Sequence, residues 1–315
     1  MEYSFLILFF FTFNLLIFLN FEALEKKLVF FDKPDGKLKR HKRPVSLLGG
    51  LILLLNFYLI IFTLKFLSLN DLFFNTEFIY ILILLSTLFF LVGFVDDMKN
   101  LTPNLKLFLI CLSFVLVAYI FPEIKLKYIR ISFIEKTYYF NNFSAIFLVL
   151  SFALLSNALN MFDGINLQLI FFSTFIFIVF ILNGFFPIFF ILILVCFVFL
   201  GILNYKNKIF LGDGGCYLLS SIIGCTFIYQ YKYFENFLYG DQIFIILLIP
   251  SIDMLRLFIV RSINYFKNIN YTVILTSLMC ALPSVMLLLN IETYYILIIS
   301  IIVYTSVIIY LKKKI

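Results

Sequence analysis

The stretch FIYILILLSTLFFLVGFVDDMK, residues 78–99, runs apolar to Val95 and then meets Asp96 and Asp97 side by side. An apolar run of that length reads as a membrane helix, and two adjacent carboxylates at its foot are costly to place there. Such groups serve metal binding, proton transfer or both. The rest of the chain asks whether other polar clusters share that end of the molecule.

Composition sets the class. Of 315 residues, 64% are hydrophobic and 13% charged, and the mean hydropathy is +1.12. That balance excludes a soluble domain and indicates one polytopic membrane domain over residues 1–315. The net charge of +7 comes from Lys and Arg in short loops, so positive-inside orientation explains it and nucleic acid is not a partner. Five scattered cysteines without a C-x-x-C, and one histidine, His41, exclude a zinc site or a disulfide framework. The first apolar run, residues 3–21, lacks a basic flank or a small-residue cleavage site and reads as a retained helix.

The span rule predicts an all-α polytopic protein with about eleven transmembrane helices. They fall at 3–21, 45–66, 78–95, 105–121, 143–159, 167–182, 185–203, 216–230, 243–260, 272–290 and 293–311. One apolar stretch has to be cut at Asn183-Gly184 to give two of them. Between the fourth and fifth, the alternation around Lys125, Lys127 and Arg130 predicts a small external β-hairpin near 123–140. The eight basic residues between the first two spans place that loop in the cytoplasm, the N-terminus outside and the C-terminus inside. Alternation then puts seven of the nine Asp on the cytoplasmic side, a convergence that predicts a cationic or metal-dependent site there.

Four clusters sit at span ends. Asp96 and Asp97 are followed by Lys99, a helix restart at Thr102-Pro103, and Lys106 one turn in. Carboxylates with a nearby lysine suit a Mg²⁺-bridged diphosphate. Asn157, Asn160 and Asp163 are three apart and share one helical face, with Gly164 as a C-cap; they can read a nucleobase or sugar edge. Gly212-Asp213-Gly214-Gly215 allows close backbone approach, and the helix expected from Tyr217 offers its N-terminus to an anion. Asp253 and Arg256 lie one turn apart, with Arg261 further on. A transporter using buried Asp is disfavoured, because these Asp lie at span ends and not at the midplane.

Order and spacing extend beyond composition. The pieces are Asp32-x-Pro34 with Lys39-Arg40-His41 and Pro44 through Gly49-Gly50, and Asp96-Asp97-x-x-x-Leu101-x-Pro103-x-x-Lys106-Leu107. Then come Asn157-x-x-Asn160-x-x-Asp163-Gly164-Ile165, Phe210-x-Gly212-Asp213-x-Gly215, and Pro250-x-x-Asp253 with Arg256 and Arg261. Together they resemble the polyprenyl-phosphate N-acetylhexosamine-1-phosphate transferases, glycosyltransferase family 4. The spacing after the paired Asp looks more like the branch that starts O-antigen, common-antigen and teichoic-linkage synthesis. This chain has Asn166 and Leu167 where the family has a second Asp and Gly, Cys216 where it has Ser, and no His in 262–272 where it carries a His-x-His-His cluster.

The resemblance implies a Mg²⁺-dependent enzyme of the bacterial inner membrane, with Mn²⁺ an admissible substitute. It would move an N-acetylhexosamine 1-phosphate from a UDP-sugar to undecaprenyl phosphate, releasing UMP, as the first membrane step of a cell-envelope glycan such as lipopolysaccharide. Its site would lie on the cytoplasmic face. Asp96 and Asp97 would be catalytic, Asp97 and Asp213 metal ligands, and Asn157, Asn160 and Asp163 nucleotide-sugar contacts. Lys106, Arg256 and Arg261 are assigned to phosphates on charge. The partners implied are undecaprenyl phosphate, UDP-N-acetylhexosamine and the lipid bilayer; a homodimer is compatible with them. The missing His cluster motivates an alternative, a catalytically degenerate relative that partners or regulates a glycan-assembly complex.

Overall fold

The computed structural model describes residues 2–32, 44–67, 75–164, 166–234, 238–263 and 273–313. His41 and its basic neighbours from Lys33 to Arg43, Asp35, Asp71, Ile165 and residues 264–272 lie outside them. So does the side chain of Arg261.

The described residues form thirteen α-helices and two small two-stranded sheets. The helices are α1 (Glu2–Leu19), α2 (Phe21–Leu28), α3 (Gly49–Phe66), α4 (Thr76–Lys99), α5 (Pro103–Ile120) and α6 (Ser144–Phe162). They continue with α7 (Gln168–Leu182), α8 (Pro187–Tyr205), α9 (Gly212–Tyr233), α10 (Gly240–Ile246), α11 (Leu248–Ile263), α12 (Val273–Leu288) and α13 (Thr293–Lys313). The strands are β1 (Phe31–Asp32), β2 (Val45–Ser46), β3 (Tyr128–Ile131) and β4 (Lys136–Tyr139).

Helix α9 is the axis of the bundle. Every residue from Gly214 to Gln230 is buried. Its sequence explains why it sits inside and not against lipid: Gly, Ser, Cys and Thr keep it thin, so neighbouring helices approach closely. On one side Ser221 Oγ donates to Ser86 Oγ of α4 at 2.9 Å. On another, Ser220 and Ser156 of α6 share a hydrogen bond of 2.8 Å. Gly224 lies against the Phe152 ring so tightly that an added Cβ would stand 2.6 Å from it.

The expected count of about eleven spans is corrected. Among the described residues, five helical segments are long and apolar enough to cross a membrane: Gly49–Phe66, Thr76–Lys99, Pro103–Ile120, Asn141–Phe162 and Pro187–Tyr205. A sixth arises if Tyr3–Leu19 and Phe21–Leu28, bent by 62°, count as one span. Three of the other apolar runs fall short for identifiable reasons. Helix α7 has only 15 residues. The run at 243–260 is broken at Leu247 between α10 and α11. Helix α12 has only 16 residues, with Pro283 among them. The long apolar helices make this a membrane-associated protein.

Local chemistry places two features where the sequence expects them. The apolar run is cut at Asn183-Gly184: Gly184 takes φ +72, and Pro187 opens α8. The hairpin forms with Tyr128 opposite Tyr139 and Ile131 opposite Lys136. It docks on α10, where Asp241 Oδ1 accepts from Ser132 N at 2.8 Å.

Helices α1 and α3 are joined by one buried polar pair. Asn14 Nδ2 donates to Asn56 Oδ1 at 2.8 Å, and Asn56 Nδ2 donates back to Asn14 Oδ1 at 3.1 Å. Each amide also donates to its own helix, at Phe10 O and Ile52 O. Both side chains are essentially inaccessible, 1% and 0% exposed, so the reciprocal bond fixes the register of α1 on α3. A double-mutant cycle with Asn14→Ala and Asn56→Ala, read by thermal unfolding in detergent, is expected to give a coupling of about 1 kcal/mol. Strict additivity would mean that the pair sets no register.

Candidate functional site

The polar clusters meet where the C-termini of α4 and α6 surround the N-termini of α5 and α9. The meeting depends on a close crossing of α4 over α9. An added Cβ on Gly93 would lie 2.4 Å from the Asp213 carbonyl and 2.5 Å from Gly214 N. Backbone therefore rests on backbone, and only glycine fits.

One turn after Gly93, Asp97 takes both of its carboxylate oxygens to the start of α9. Oδ1 accepts from Asp213 N at 2.9 Å, and Oδ2 accepts from Gly214 N at 3.0 Å. These are two of the four orphan N–H groups that every helix start leaves. A carboxylate there is favoured by hydrogen bonding and by the helix dipole together. Helix α9 begins at Gly212, earlier than the expected Tyr217, and the anion on its N-terminus is Asp97 of the same chain. Gly212, at φ +70, leaves room for it: a Cβ there would lie 2.6 Å from Asp97 Oδ2.

The backbone before α9 is tied down separately. Phe210 N donates to Ser46 O at 2.8 Å, Gly49 N to Phe210 O at 3.2 Å, and Gly50 N to Leu211 O at 3.0 Å. A Cβ on Gly50 would lie 2.5 Å from Gly215 N. The paired glycines 49 and 50 are thus spacers that let α3 approach this loop.

Asp96 turns the other way and is 4% exposed. Its Oδ1 accepts from Leu101 N at 2.7 Å, closing the turn into α5. Its Oδ2 forms an ion pair with Lys106, from the first turn of α5. The same ammonium reaches Asp213 Oδ2 at 3.1 Å. Lys106 therefore bridges carboxylates from two helices, and Asp96 and Asp213 lie close enough to interact directly.

Asp163, just past the end of α6, joins the group through α9. Cys216 Sγ donates to Asp163 Oδ2 at 3.6 Å. Its carboxyl is pushed up to about 8, first by burial and further by the nearby Asp213 and Asp97, against the lowering effect of the Cys216 hydrogen bond. Asn160 Nδ2 donates to Tyr217 Oη at 3.3 Å.

Asp96, Asp97, Lys106 and Asp213 thus form one connected cluster, with Asp163 and Asn160 attached through Cys216 and Tyr217. Two expected residues are engaged elsewhere. Asn157 donates to Ala153 O of its own helix at 2.8 Å. Arg256 Nε donates to Asp253 Oδ1 at 2.8 Å, and Tyr304 Oη donates to the same oxygen at 2.7 Å. Gly93, Cys216 and Tyr217 were not expected as site residues. Cys216 stands out in the sequence only as a departure from the family's Ser, and Tyr217 only as the expected helix start; Gly93 carries no signal beyond lying one turn before Asp97.

Asp96 Oδ2 and Asp213 Oδ2 converge on one cation, the Lys106 ammonium, and carboxylate oxygens are what Mg²⁺ takes. Among the described residues no group of three His, Cys, Asp or Glu is arranged to hold a metal. Mg²⁺ commonly needs only one or two carboxylates, with water and phosphate oxygens completing the shell, so the pair fits.

Fold and site define a membrane-associated helical domain with a carboxylate–lysine centre at the ends of its apolar helices. Residues 79–231, from α4 through nearly all of α9, match the family model Glycosyl transferase family 4. The matched stretch holds every member of the connected cluster, and the likeness supports a sugar-transfer reaction in general. Comparison with curated proteins finds no match.

Gly93→Ala is expected to destabilise the protein by about 3 kcal/mol, because backbone cannot yield at the crossing. Gly201→Ala, whose Cβ would meet only Leu167 Cδ2 at 3.5 Å, is expected to be neutral or slightly stabilising. Thermal unfolding of both variants checks the contrast.

Proposed function

We propose that this protein transfers an N-acetylhexosamine 1-phosphate from a UDP-sugar to undecaprenyl phosphate and releases UMP. The observation that carries the reading is the cluster of Asp96, Asp97, Lys106 and Asp213 at one end of apolar helices. A soluble nucleotide-sugar and a lipid-borne phosphate can meet only at such a membrane surface. In the proposed reaction a lipid phosphate oxygen attacks the sugar-bearing phosphorus of the UDP-sugar. The new P–O bond forms as the bond to UMP breaks.

Phosphoryl transfer requires positioning and charge neutralisation more than covalent help. We assign Asp96 and Asp213 to hold Mg²⁺ or Mn²⁺, because the oxygen each gives to Lys106 faces the same cation. Asp97, expected from the sequence as a catalytic residue and metal ligand beside Asp213, is assigned here to hold Asp213 in position, since both its oxygens accept from α9 N–H groups. A bound Mg²⁺ would supply charge neutralisation of phosphate oxygens. Lys106 offers its ammonium to phosphate from the same spot. Asn160 and Asp163, linked to α9 beside Asp213, are assigned to the nucleotide-sugar, with Asn157 further along the same face. Arg256 and Arg261 on α11 remain assigned to phosphate by charge.

The test is a panel of UDP-N-acetylhexosamines with purified protein, undecaprenyl phosphate and Mg²⁺, scored for released UMP and labelled lipid. Asp96→Asn and Asp213→Asn are each expected to lower turnover by at least about 100-fold. A chelator is expected to abolish it. Absence of UMP release from every donor would remove the transferase reading. Full function in cells carrying either Asp→Asn variant would favour a non-catalytic partner instead.

A further inference from the structure

The cluster divides its carboxylate oxygens unevenly. Both Asp97 oxygens and Asp96 Oδ1 are taken by backbone N–H groups. Asp96 Oδ2 and Asp213 Oδ2 both go to Lys106. All three side chains are shielded: Asp96 is 4% exposed, and Lys106 and Asp213 are each 24% exposed. Two ionised carboxylates this close repel strongly in a shielded setting unless a cation stands between them; otherwise they share a proton. The chain supplies that cation itself, from the first turn of α5, where Pro103 fixes the helix start.

We infer that Lys106 is a built-in competitor for the divalent cation, an inference that rests on the metal assignment of the proposed function. Its ammonium holds Asp96 and Asp213 together without a metal. The same two oxygens cannot be given fully to both cations. Divalent-ion binding must therefore loosen the lysine, and the loosened ammonium becomes available to a diphosphate. Lysine is suited to this, because its charge rides on a flexible stem with rotatable donors. By linkage, phosphate that draws the lysine away also tightens metal binding by the same factor. Metal and nucleotide diphosphate would then bind cooperatively, with Lys106 as the element both of them act on.

The experiment is a Mg²⁺ titration of full-length protein in detergent, with the thermal unfolding midpoint as readout and no substrate present. Wild type, Lys106→Met, Lys106→Gln, Lys106→Arg and Asp213→Asn are compared. In chelator, Lys106→Met is expected to unfold at a lower temperature than wild type. With Mg²⁺, it is expected to reach half-saturation at about tenfold lower concentration, the scale of one charged hydrogen-bonded contact. Lys106→Gln, whose neutral amide can still donate to a carboxylate, is expected to shift the same way and decides the matter if the Met variant does not fold. Lys106→Arg is expected to match wild type.

A Mg²⁺ response confined to the Met and Gln variants would also support the inference, as metal kept out by the native lysine. Half-saturation in those variants at the wild-type concentration or above, with wild type responding and Asp213→Asn not, would overturn competition and leave the metal assignment standing. No Mg²⁺ response in any protein would overturn both.

Discussion

The grip of the Asp97 carboxylate on the first N–H groups of α9 is the constraint on which the rest depends. It joins the end of a long apolar helix to the start of the buried axial helix. Each charge-assisted bond of this kind is worth about 1.5–3 kcal/mol. The grip exists only because Gly93, one turn earlier, allows the two backbones to touch. It also fixes Asp213, the next residue to matter, since Asp213 N is one of the groups held. From there Lys106 and Asp96 follow, because the ammonium must find both carboxylates at once.

Much of this was legible in the sequence, though in pieces. Asp96-Asp97, Asp213 and Asn157–Asn160–Asp163 stand out because polar residues at the ends of apolar runs have few structural excuses. The cut at Asn183-Gly184 and the hairpin near 128–139 were legible because Gly, Pro and strand alternation act locally. The pairing was not legible. Nothing in the run around Asp97 says that its carboxylate caps a helix more than a hundred residues later. The expectation of an open helix N-terminus at Tyr217 had the right physics and the wrong occupant: the chain's own Asp97 fills that role.

The span count failed for a different reason. Hydropathy measures how apolar a segment is, not whether one unbroken helix carries it. Residues 243–260 are apolar, yet they are split at Leu247. Residues 216–230 look like a span because they avoid charge, but their Gly, Ser and Cys content suits protein neighbours better than lipid. The structure uses that segment as an interior axis, buried from Gly214 to Gln230. An apolar pattern cannot distinguish burial in lipid from burial in protein, whereas small residues at close crossings can.

Charge accounting links the fold to the chemistry proposed for it. Asp97 is balanced by the N–H groups of Asp213 and Gly214 and the positive end of the α9 dipole, with Lys106 nearby. Asp96 and Asp213 share the single charge of Lys106, so with all three carboxylates ionised the centre carries an excess of negative charge. A second phosphate-bearing molecule brought to such a centre would add more. The arrangement can accept anionic substrates only if more positive charge arrives with them, and a hard divalent ion on carboxylate oxygens is the simplest source. The same repulsion gives the lysine its place beforehand: without one, the two carboxylates that suit the ion would have to separate or share a proton before it came.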